Sequence, residues 1–344
     1  MPSSNAWTSS GPTPRSGARF AWAATLLAAL FTGGLFLDGW AHTHGRVDDT
    51  FFTPWHAALY GGFLAMALLL VGRAALGVAR DSLPWRHAMP DGYGLALAGV
   101  ALWFVGGPFD ALWHEMFGFE ANIEALMSPA HAVLALGIGL MASGPLRAAL
   151  RDPQRGGWRD ATMILSLTLV VSILTFFTQI GHPVSNMWAA RGGWPAMLAL
   201  GIVGTLFTTA LWTAPLLLLL RHDRLRAGAT TVVVGVNACA MGFLFERGAY
   251  PALVVVAIAA AALVVDIVRA VLRPEGSRPR AFRVFAVALS VTPVLAYFVA
   301  VAATSGIMWS THLWVGVVVY AGGVGWLLSY LVLPPRLEAP GSTR

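Results

Sequence analysis

The chain has 344 residues, of which 57% are hydrophobic and 11% charged, and its mean hydropathy is +0.69. A soluble domain carries about a quarter charged residues, so the composition excludes a soluble globular protein and predicts one embedded in a lipid bilayer. The net charge is +6 and no lysine occurs. The arginines fall in short loops between apolar runs, which argues for membrane topology and against a nucleic-acid partner. One cysteine, Cys239, excludes an internal disulfide and a cysteine-based metal site.

The first 18 residues are rich in Ser, Pro, Gly and Thr and are expected to form a disordered cytoplasmic tail. Ten apolar runs follow, at about 19–40, 54–79, 92–114, 128–150, 160–181, 195–220, 229–249, 251–271, 281–304 and 311–333. They predict an all-α fold, a polytopic transmembrane helical bundle forming a single domain over 19–333. Residues 334–344 are a second tail. Between the runs, arginine concentrates in alternate loops: Arg147, Arg151, Arg155 and Arg159 in one, Arg273, Arg278 and Arg280 in another. The positive-inside rule therefore puts both termini in the cytoplasm. The expected location is a bacterial-type plasma (inner) membrane, crossed many times. Asp266 and Arg269, three apart in one run, read as a local ion pair.

With that orientation, seven of the nine histidines lie at the extracytoplasmic ends of the runs: His42, His44, His56, His114, His131, His182 and His312. Two stretches concentrate the polar chemistry there. One runs from Asp38 through His42, His44, Arg46, Asp48 and Asp49 to Thr53-Pro54-Trp55-His56. The other has Asp110, Trp113-His114-Glu115, Glu120 and then Ser128-Pro129-Ala130-His131. Both share an Asp, three residues, a His, a loop and Ser/Thr-Pro-x-His. This predicts a parallel internal repeat of the first two helical hairpins, with halves of about 19–79 and 92–150.

The spacing has a chemical reading. Asp and His at i, i+4 share one helix face, a turn apart. Ser or Thr before Pro is a good helix N-cap, with Pro suited to the first helical position. The second His of each copy then sits in the first turn of the next helix. Each hairpin predicts an Asp-His-His cluster: Asp38, His42 and His56 in one copy, Asp110, His114 and His131 in the other. Such donors suit a divalent transition metal, with copper, zinc, iron and nickel all compatible with imidazole. A proton relay or a structural polar network is the competing reading. His44, Asp48 and Glu115 are candidates for loop or supporting positions around the clusters, and His182 and His312 for support or a fourth ligand.

The first stretch resembles the metal-binding segment of a transmembrane subunit of the membrane-bound copper monooxygenases, the methane and ammonia monooxygenase family. Asp38, His42, Arg46, Asp48, Thr53, Pro54 and His56 fall on that pattern. The resemblance covers about 20 residues, twice. Arg-x-Asp stands here where the family has Arg-Asp, and the second copy lacks the pair. It implies that Asp38, His42 and His56 bind copper and, through the repeat, that Asp110, His114 and His131 form a second set. Copper is the expected cofactor, with iron and zinc as alternatives. An oxygen-activating oxidoreductase of this kind would take electrons from an electron donor or partner membrane subunits. The alternatives are a metal-ion transporter or metal-handling protein, and a non-catalytic membrane scaffold.

Overall fold

The computed structural model describes residues 15–46, 53–80, 82–84, 87–118, 124–245 and 251–335. The two tails, apart from a few residues next to the helices, and Asp48, Asp49 and Glu120 lie outside them. The described residues are helical, with no strand among them. The helices are α1 (Ala18–Thr43), α2 (Pro54–Ala79), α3 (Gly94–Phe117), α4 (Glu124–Met127), α5 (Pro129–Ala142), α6 (Gly144–Arg151) and α7 (Trp158–Phe177). There follow α8 (Pro183–Asn186), α9 (Pro195–Arg221), α10 (Ala229–Phe243), α11 (Ala252–Leu272), α12 (Pro279–Thr304) and α13 (Thr311–Val332).

Eight of these, α1, α2, α3, α7, α9, α11, α12 and α13, are long and apolar enough to cross a membrane. Helices α5 and α6 together make a further span, bent by 41°, and α10 is a shorter apolar helix of 15 residues. Each predicted run overlaps one of these helices or, for 128–150, the bent pair of α5 and α6. The chain is thus a polytopic helical membrane protein.

Two runs depart from uninterrupted helix. The 128–150 run breaks at Ser143, where Pro145 opens α6. Proline has no N–H to give and its ring crowds the carbonyl four residues back. The Ser143 hydroxyl donates to the Gly139 carbonyl at 2.7 Å, beside the Ser143 N–H that the same oxygen accepts. The 160–181 run stops as α7 at Phe177 and continues in single turns at Gln179–Gly181 and Pro183–Asn186. Pro183 forces His182, the residue before it, into extended backbone.

The described residues gather into two compact units, one within Met1–Asp38 and Asp48–Val170, the other within Gly39–Val47 and Val171–Arg344. The division falls inside two helices, α1 and α7. In the first unit, α1 and α2 touch backbone to backbone. A Cβ on Gly62 would lie 2.6 Å from the Phe31 Cα, and one on Gly34 would lie 2.8 Å from the Leu59 Cα. Small residues allow this approach, as at other membrane helix crossings. Buried Trp103 of α3 fills the centre of the unit. Its ring packs on Phe31 at 4.9 Å and on Phe63 at 4.8 Å, and its indole N–H donates to the Leu134 carbonyl of α5 at 2.9 Å.

In the second unit α10, α11, α12 and α13 pack in sequence and α13 returns against α9. The charge of Asp266 on α11 acts on Arg269 in its own helix, and the carboxylate also reaches a neighbouring helix. Its carboxylate accepts from the Thr231 N–H at 2.9 Å and the Thr231 hydroxyl at 2.7 Å, at the start of α10. Helix α10 opens on Gly228, which has no side chain to cap it, so a buried carboxylate from the neighbouring helix satisfies its free N–H groups.

Candidate metal centre

Both clusters are built by the same local rule. At the start of α2, Thr53 is extended and its hydroxyl accepts the His56 N–H at 3.2 Å, with Pro54 following. At the start of α5, Ser128 accepts the His131 N–H at 3.2 Å, with Pro129 following. The cap fixes the first turn, and the first turn aims the histidine.

In the first group, His56 Nε2 lies 3.4 Å from Asp38 Oδ1. His42 follows one turn beyond Asp38 on α1, and one ligand atom from each of Asp38, His42 and His56 lies within 4.8 Å of the others. His42 is exposed, while Asp38 and His56 are half-buried.

The second group is deeper. Asp110 is only 6% exposed. Its Oδ1 lies 3.3 Å from His131 Nε2 and its Oδ2 lies 3.5 Å from His114 Nε2. Again one ligand atom from each residue falls within 4.8 Å of the others. Asp110 Oδ1 makes no hydrogen bond among the described residues, so its approach to His131 is not an aligned N–H···O contact. A buried carboxylate oxygen left in this way is costly.

The far nitrogens of both rings are held. His131 Nδ1 pairs with the Ser128 hydroxyl at 2.8 Å. His114 Nδ1 reaches the Gly118 carbonyl at 3.5 Å. A carbonyl only accepts, so a neutral ring in this contact carries its proton on Nδ1 and leaves Nε2 with a lone pair. Gly118 holds φ +82, a conformation that favours glycine. The His114 lone pair then faces a carboxylate oxygen. A cation between them, either a proton or a metal ion, resolves that opposition.

The donor set passes the test for a divalent transition metal: two imidazoles with anchored far nitrogens and one carboxylate in the second group, and the same donor types in the first. The six predicted ligands are thereby brought into two groups. The supporting candidates belong to neither. His44 closes α1, with Nδ1 2.9 Å from the Trp40 carbonyl and its ring stacked on Trp40. Glu115 and His312 are exposed, and Asp48 lies outside the described residues. His182 is buried in the second unit. Its Nδ1 accepts the Val184 N–H at 3.2 Å, and burial lowers its pKa from 6.5 to about 3, with the nearby Asn237 side chain acting in the opposite direction.

Tyr60 is a residue the sequence motifs do not include. Its ring lies 6.3 Å from His56, and the charges of both Asp110 and Asp38 act on its phenol. Its position was legible, because it stands four residues after His56 on the same helix face.

Fold and site define a multi-pass helical membrane protein with two Asp-His-His groups that could hold a metal ion. Comparison with known protein families, with characterised proteins and with solved structures gives no match.

Proposed function

We propose that this protein is a membrane metalloprotein whose two Asp-His-His groups, Asp38/His42/His56 and Asp110/His114/His131, each hold a divalent transition-metal ion. The observation that carries the reading is the buried Asp110 carboxylate. It is approached by two imidazole nitrogens, and its Oδ1 has no hydrogen bond among the described residues. Copper is the metal we favour, on the resemblance to the transmembrane metal-binding segment of the copper monooxygenases. Two histidines and a carboxylate also suit iron(II) and zinc.

Three protein ligands leave coordination positions open, so a bound metal would supply a place where oxygen or another small molecule is activated. The chain's own residues supply the rest. Each aspartate offsets part of the cation's charge. Ser128 and the Gly118 carbonyl fix ring orientation in the second group. Tyr60 places a phenol beside the first group. On this reading the protein is an oxygen-activating oxidoreductase related to the copper monooxygenases. It sits in a bacterial-type plasma membrane with its sites outside, and takes electrons from a partner membrane protein or other donor.

The test is metal content of the purified protein by mass spectrometry, with copper, iron and zinc measured together. The wild type is expected to retain more than about half an equivalent of one metal per chain, as tight N/O sites do. A His42→Ala/His114→Ala variant should lose it. Failure of the wild type to retain any of the three after metal-supplemented growth would end the proposal. Uptake of the same metal into proteoliposomes would move the reading to transport. Lowered stability in the variant without metal in either protein would move it to a scaffold.

A further inference from the structure

A cavity of about 580 Å³ opens in the second unit where α9 and α11 end, and Arg221, Asp223, Arg269, Arg273, Glu275 and Ser277 line it. Three guanidinium groups face two carboxylates there. Glu275 is already engaged, accepting from the Ser277 hydroxyl at 3.2 Å. Among the described residues Arg221 and Arg269 each donate to a single backbone carbonyl, of Val332 and Leu225 respectively, and the charges of Asp266 and Asp223 also act on Arg269. That leaves most of their five N–H donors for another partner. Arg269 Nε is buried and has no hydrogen bond among the described residues. The exposed Arg273 guanidinium makes no hydrogen bond or ion pair among them either.

The backbone at this cavity is also unusual. Of the four non-glycine residues with positive φ among those described, two line it: Asp223 at +54° and Arg273 at +44°. Left-handed backbone is disfavoured for a residue such as arginine and tends to persist where surrounding structure holds it. The cavity lies at the ends of two membrane spans, α9 and α11, the level at which lipid headgroups sit. Guanidinium donors at the ends of two apolar spans match an amphiphile with an anionic head.

We propose that this cavity binds the phosphate group of an anionic phospholipid, with Arg273 and Arg269 as its principal donors. Arginine forks suit phosphate oxygens, and basic pockets at helix ends hold anionic headgroups. A free phosphate anion carries the same head chemistry and is the other source to be distinguished.

The experiment uses the full chain in a zwitterionic detergent and measures binding of phosphatidylglycerol, phosphatidylcholine and inorganic phosphate by native mass spectrometry and thermal shift. Phosphatidylglycerol is expected to bind in preference to phosphatidylcholine. Arg273→Gln should weaken it about fivefold, the effect of one basic residue near a lipid phosphate. Ser277→Glu, which removes no arginine, should weaken it at least as much. Arg280→Gln, outside the lining, should leave it unchanged. Equal binding of the two lipids, wild-type affinity in both cavity variants, or an equal loss in Arg280→Gln would overturn the proposal. Displacement of the lipid by millimolar inorganic phosphate would overturn the lipid assignment in favour of a soluble anion.

Discussion

Asp110 Oδ1 on α3 stands 3.3 Å from His131 Nε2 on α5, with no aligned hydrogen bond to Oδ1. The two residues are 21 positions apart, and the helices that carry them pack closely along their length. Asp110→Asn removes the charge and keeps the shape. It is expected to leave the protein folded and to lower bound metal by about one ion per chain, as a donor set loses its one carboxylate. Metal analysis beside a thermal melt checks this; unchanged metal content would take Asp110 out of the ligand set.

Ser128 has two duties, capping α5 through the His131 N–H and holding His131 Nδ1. Ser128→Ala is expected to cost about 1 kcal/mol of stability from the lost cap. It should also weaken metal binding roughly 10- to 100-fold through loss of the partner that orients the ring. Ser128→Thr should restore both. Competition against a chelator of known affinity, run beside the melts, separates the two effects.

The first group depends on how closely α1 and α2 approach. Gly62→Val places side-chain atoms where the Phe31 backbone already lies, 2.6 Å from an added Cβ. Overpacking of this kind costs about 1–3 kcal/mol. The shift should separate His56 from Asp38 and lower metal binding at the first group. The second group, on α3 and α5, should keep its metal. Loss of both ions together would show that the two groups form one cooperative centre.

His182 gives the protein a pH dependence of its own. Burial lowers its pKa from 6.5 to about 3, so the folded chain holds it neutral while the unfolded chain protonates near 6.5. The unfolded state therefore binds more protons between those values, and stability falls as pH drops from about 6.5 towards 3. It is fully present above 6.5. Replacing His182 with Asn should flatten this part of the profile, read as thermal midpoint against pH. An unchanged slope would assign the acid sensitivity to other groups.

The run boundaries were legible because a span is a local property: about 20 apolar residues in succession, whatever they pack against. The 54–79 run and α2 coincide at both ends, since Thr53-Pro54 is a complete start signal in itself. The run at 229–249 was less legible. Helix α10 ends at Phe243, and apolar composition alone does not mark that stop. The 41° break at Ser143 and the turns after Phe177 were hidden for the same reason. Hydropathy is blind to direction.

For the candidate centre, the sequence by itself determined the six donors and the two caps. Asp and His a helical turn apart, and a histidine three residues after a Ser or Thr cap, are consequences of 3.6-residue geometry. Tertiary structure alone decided which atoms meet. It set Asp110 between two imidazoles, left Asp110 Oδ1 without a hydrogen bond among the described residues, and put Tyr60 beside His56. It also brought Asp266 to the start of α10, and formed the arginine-lined cavity. Those contacts depend on helix approach, fixed by glycines such as Gly34 and Gly62 and by the packing of Trp103, and residues adjacent in space at such crossings are far apart in the chain.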